Sequence, residues 1–66
     1  MPIGSHHDET GILVRDGDLF YLQRDAGGHW EIDAPDKARD LIGRRVRVVG
    51  RRTGFDRLIA NQVTGL

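Results

Sequence analysis

Cysteine is absent from these 66 residues, which excludes a disulfide framework and any zinc site built on thiolates. No stretch approaches the roughly 20 consecutive apolar residues that a membrane-crossing helix needs. Met1 to Arg15 lacks the apolar run of a secretory signal. The expectation is therefore a soluble, cytoplasmic protein. Serine occurs once, at Ser5, with no recognisable base and oxyanion hole around it, so nucleophilic catalysis finds no support. A chain this short makes one domain and buries only about 60% of its unfolded surface. With no covalent staple, its apolar core must suffice alone or be extended by self-association, and a homodimer is one expected partner.

Net charge is zero, but the zero hides a split. Residues 1–38 carry three cations against eight anions, a balance of −5, whereas residues 39–66 carry seven arginines against Asp40 and Asp56, a balance of +5. One consequence is neutralisation between acidic and basic strands inside a single barrel. The other is a charged face offered to a partner.

Turn residues punctuate the chain into five strand signals. Residues 1–9 mix Pro, Gly, Ser and His without a hydrophobic period and read as a flexible N-terminal arm ahead of a barrel domain over 10–66. Thr10 to Arg15 makes strand one and ends at the hairpin signal Asp16-Gly17-Asp18. Leu19 to Arg24 makes strand two, Asp25 to Gly28 a turn, and His29 to Asp33 strand three. Phe20, Leu22, Trp30 and Ile32 then point inward, with Tyr21, Gln23, His29, Glu31 and Asp33 outward.

The period changes at Ala38, Leu41 and Ile42, whose spacing predicts a two-turn helix packed on the barrel end. Pro35 suits its first turn, Asp33 or Asp36 its exposed N–H groups, and Gly43 its C-terminal cap. Arg45 to Val49 alternates as strand four, and Gly50 marks a bulge or bend. Phe55 to Val63 supplies strand five, with Leu58 and Ala60, or else Ile59 and Asn61, facing the core. A helix between strands three and four of an otherwise all-β chain predicts a small five-stranded OB-like barrel. The alternative is an SH3-like barrel, whose helical turn falls between strands four and five.

The motifs TGILVRDGD, RDAGGHWEIDAP, LIGRRVRVVGRR and TGFDRL, over residues 10–58, resemble a family of short bacterial proteins known as a domain of unknown function. The resemblance extends from about Thr10 to Val63 and implies a minimal OB-type barrel. Its shared positions are glycines and core residues such as Trp30, Val46 and Val48, and it implies no activity, cofactor or catalytic residue.

The residues therefore point to a non-enzymatic binding module. Single-stranded nucleic acid is the first partner, held by an arginine-rich edge of Arg44, Arg45, Arg47, Arg51 and Arg52 with Tyr21 and Phe55 as stacking groups. Phe55 either closes the barrel end or lies exposed beside Arg51 and Arg52. The alternative is a protein-interaction or self-assembly module using acidic and basic surface complementarity. His6, His7, Asp8 and Glu9 carry metal-ligating groups but lie in the expected arm without a preorganised fourth-ligand geometry, so no metal or cofactor is assigned. Asp16 with Asp18 is explained by a turn and Glu31 with Asp33 by a solvated strand face, and Gly27-Gly28 opens no helix that would cradle a phosphate.

Overall fold

A computed structural model of the chain describes residues 4–66. Five strands, β1 (His6–Asp16), β2 (Leu19–Arg24), β3 (His29–Asp33), β4 (Arg45–Arg52) and β5 (Arg57–Gly65), close into a barrel in the order β1-β2-β3-β5-β4. All neighbours are antiparallel except β3 and β5, which run parallel over three residue pairs. A single 3₁₀ helix, Asp36–Leu41, lies between β3 and β4. This is the expected OB-like arrangement, and the helix position excludes the SH3-like order. No helix among the described residues is long and apolar enough to cross a membrane.

The expected arm is corrected from His6 onward. Residues 6–9 belong to β1 and pair with Arg51 to Val48 of β4, and Gly4 N–H donates to Arg52 O at 2.7 Å. Met1 to Ile3 of that arm lie outside the described residues. Strand alternation hides behind the polar composition here. His7 and Glu9 turn inward, with His7 8% exposed and 4.9 Å from Trp30 between ring centroids, while His6 and Asp8 point outward. The Ser5 hydroxyl and His7 Nε2 lie 2.9 Å apart, and Trp30 Nε1–H donates to Glu9 Oε1 at 3.4 Å.

The core is built from the alternating inward residues. Leu13, Leu22, Val46, Val48 and Leu58 are fully buried, joined by Phe20, Trp30, Ile32 and Ala38. Each fully buried Leu or Val contributes roughly 1.5–3 kcal/mol of apolar transfer free energy. Trp30 is thus a core residue. Gly17, at φ +62°, takes the first central position of a two-residue hairpin, the place where a type II′ turn needs a residue without Cβ.

The helix is 3₁₀ rather than α, and that changes which side chains reach the core. A period of three stacks residues i and i+3, so Ala38 and Leu41 pack on the barrel while Ile42, expected on the same side, is 37% exposed. Pro35 caps the start with no side-chain hydrogen bond from either aspartate, and Gly43 turns at φ +81° after the helix.

The strand-five alternatives resolve in favour of Leu58 and Ala60 inward, with Ile59 40% exposed. A bulge follows. Gly50 pairs with Ala60 but Val49 pairs with Gln62, which leaves Asn61 as the extra residue and returns Val63 to the core side. Gly50 permits this close approach: a Cβ there would sit 2.2 Å from the Ile59 carbonyl oxygen.

Candidate nucleic-acid interface

The outward side chains of β4 follow from its alternation: Arg45, Arg47, Val49 and Arg51 face solvent while Val46, Val48 and Gly50 face in. At about 3.3 Å per residue, the strand spreads these arginines over about 20 Å. Their surroundings differ along it. Arg45 is ion-paired to Asp25 of the β2–β3 turn. Arg47 is held by Asp8 of β1 through two hydrogen bonds, its Nε donating to Oδ1 at 2.8 Å and its Nη2 to Oδ2. This fork lowers the Asp8 carboxyl below its ordinary value, chiefly through the hydrogen bonds from Arg47, and the hydrogen bonds to Asp8 and to Asp25 raise the Arg47 and Arg45 guanidinium groups respectively. The middle of the arginine run, Arg45 and Arg47, is therefore locally neutral. Acidic β1 and the β2–β3 turn provide the compensation.

The two ends of β4 are different again. Arg44, just before the strand, is exposed at the end where β5 finishes, its guanidinium near Gly65. Arg51 is exposed and has no acidic partner among the described residues. Arg52 bends over the β4–β5 loop, its Nε donating to Gly54 O at 2.8 Å and its Nη2 to Phe55 O at 3.0 Å. The same guanidinium lies 5.9 Å from the Phe55 ring centroid, within cation–π range. Phe55 itself is 89% exposed. It does not close the barrel end.

The expected stripe thus breaks into separate parts, and Arg44 and Arg52 stand at opposite ends of it. What the stripe loses, the barrel partly restores from another direction. Glu31 N–H donates to Asp56 O at 2.8 Å, and Glu31 pairs with both Tyr21 on β2 and Arg57 on β5. The β4–β5 loop carrying Phe55 therefore ends beside β3, next to Glu31. On the outer face of β2 and β3 Tyr21 meets His29 edge-on, ring centroids 5.8 Å apart, beside a shallow depression of about 750 Å³ lined by Val14, Asp16, Tyr21, Gln23, Arg24, Gly28 and His29. Arg57 Nε sits 2.7 Å from Glu31 Oε2, so one carboxylate of this face is neutralised.

Sequence reasoning placed Tyr21 on this outer face but did not pair it with His29. The register sets Gln23 opposite His29, which puts His29 diagonally next to Tyr21. The four metal-ligating types at residues 6–9 do not converge, because successive residues of a strand point to opposite faces, and no group of three or more such residues could hold an ion among the described residues. The one serine is hydrogen-bonded to a core-facing histidine whose ring packs on Trp30.

Residues 10–65 match the model of a family described as Protein of unknown function (DUF5818), and the chain belongs to that family. No curated protein and no solved structure matches it.

Proposed function

We propose that this DUF5818 member is a non-enzymatic binding module that takes single-stranded nucleic acid on the outer face of β2 and β3 and on the β4–β5 loop. The observation that carries the proposal is Phe55. A phenylalanine that is 89% exposed on a loop, with its backbone carbonyl and its ring both engaged by Arg52, is a large apolar surface held in place without being used by the core. Bases stack on such a ring whatever their identity. Tyr21 and His29 supply a second aromatic pair on the adjoining strands, and Arg51 supplies a cation for a phosphate. Arg45 and Arg47 contribute less, because Asp25 and Asp8 already compensate them. The same intramolecular pairing weakens these two arginines equally for an acidic protein surface, and it is the exposed Phe55 ring, a surface for stacking bases, that favours the nucleic-acid reading.

The test is fluorescence anisotropy with labelled single-stranded DNA and RNA oligonucleotides across a salt titration. Phe55→Ala is expected to weaken binding by about 1–3 kcal/mol, the value of one stacked base, and to leave the unfolding midpoint unchanged. Paired substitution of Arg45 and Arg47 by alanine is expected to do far less. No binding by the wild type at low salt, or binding indifferent to Phe55, refutes the proposal.

A further inference from the structure

The last nine residues, Leu58 to Leu66, contain no charged side chain in a chain that is 30% charged. They make up nearly all of β5, and β5 is incompletely paired. On one side it follows β4 from Leu58 to Gly65; on the other, β3 accompanies it only from Arg57 to Ile59. Leu66 N–H donates to Arg45 O at 3.0 Å. Antiparallel alternation then directs the backbone groups of Gln62 and Thr64 toward β4 and those of Val63 and Gly65 away from it. A groove of about 430 Å³ lies along Asn61, Gln62 and Val63, with Pro35, Ala38 and Leu41 on its far wall beside the oppositely charged Lys37 and Asp40. No backbone hydrogen bond from the helix crosses to this edge among the described residues.

An unpaired strand edge is a template for another strand, and proteins commonly blunt such edges with lysine, proline or inward charges. The edge beyond Asn61 has none of these. The bulge at Asn61 ends the pairable run on one side, leaving a short segment. We propose that this edge, Gln62 to Gly65, pairs with the same edge of a second copy, antiparallel about a two-fold axis. Charge selects this occupant. In a symmetric antiparallel pair the side chains nearest the two-fold axis lie opposite or diagonal to their own copies, so a charge on this short segment would come close to a like charge. Every other strand carries charged residues, whereas β5 beyond Arg57 meets itself without repulsion. The contact is independent of the nucleic-acid face and uses none of its residues.

The experiment is sedimentation equilibrium of the full chain over a wide concentration range, at low and high salt. The weight-average mass is expected to rise from 7.4 kDa toward twice that value with concentration, equally at both salt levels. Gln62→Lys and Gln62→Glu, both at an exposed position, are each expected to stay monomeric, and an equimolar mixture of the two is expected to associate again. Thr64→Lys provides a second exposed position with the same expected loss. A wild type that remains at 7.4 kDa throughout overturns the inference. So does association that these lysine substitutions leave unchanged, and so does a charge-swapped mixture that stays monomeric.

Discussion

Arg45 and Arg47 in the middle of the arginine run and Arg51 and Arg52 at its end are the same side chain on the same strand, yet they do different things. The middle pair lies beside β1 and the β2–β3 turn, where Asp8 and Asp25 stand within ion-pair reach. The end pair lies beyond those acids, next to a loop that presents Phe55 to solvent. In the middle, arginine fastens one strand to its neighbours. At the end, Arg52 shapes the loop and Arg51 has no carboxylate to neutralise it among the described residues. A run of arginines in a sequence is therefore not a binding stripe until the acids facing each one are known.

Gly50 divides these two regions, and its replacement should have the largest effect. Gly50→Ala forces a Cβ to within 2.2 Å of the Ile59 carbonyl, a backbone atom that cannot swing aside. The expected cost is about 1–3 kcal/mol of overpacking, read as a lower urea midpoint, together with loss of the alignment between the arginine end and the β4–β5 loop. An unchanged midpoint would mean that the two strands are not held as closely as described.

Removing the acids should erase the distinction between middle and end. In the combined Asp8→Asn and Asp25→Asn variant, Arg45 and Arg47 keep their positions but lose their charged partners. Single-stranded nucleic acid is then expected to bind more tightly than to the wild type, with a steeper dependence of affinity on salt, because two more cations are available to displace counterions. Equal affinity and equal slope would show that ion pairing is not what silences the middle of the run.

The smallest effect concerns pH. Arg47 holds the Asp8 carboxyl below its ordinary 3.8, so folding is favoured by the ionised form. That contribution is fully present above the unfolded value and is lost as pH falls through the lower folded one. Arg47→Ala should therefore be slightly less stable than the wild type near neutrality, with the gap closing below about pH 4. The pair is exposed, so the gap is expected to be small. Unfolding curves at a series of pH values check it, and a gap that persists undiminished in acid would assign the loss to packing instead.

Much of the fold could be read along the chain. The hairpin turns at Gly17 and Gly27-Gly28, the alternation through Trp30 and Ile32, and the position of the helical segment are local features, and the structure places them where local chemistry does. The reading stopped where a residue's role depends on a strand distant in sequence. His6 to Glu9 look like a polar arm because only pairing with Arg51 to Val48 makes them a strand. Ile42 has the right spacing for an α-helix but the wrong one for the tighter 3₁₀ turn that fits between β3 and β4. Of the candidate site, Tyr21 was identifiable as an aromatic on the outer face and neutralisation between acidic and basic strands was expected, but the exposure of Phe55, the contact of Tyr21 with His29 and which arginines are cancelled were not.

By itself the sequence determined the number of strands, the inward set of Phe20, Leu22, Trp30, Ile32, Val46 and Val48, and the place of the helix. Each of these depends on periodicity and turn chemistry within a few residues. Only the tertiary structure decided which arginines are neutralised, whether Phe55 is covered, which face of β5 turns inward, and which strand edge is left without a partner. These depend on what closure of the barrel brings within a few ångströms, since side-chain charge and backbone hydrogen bonding act over that range regardless of separation along the chain.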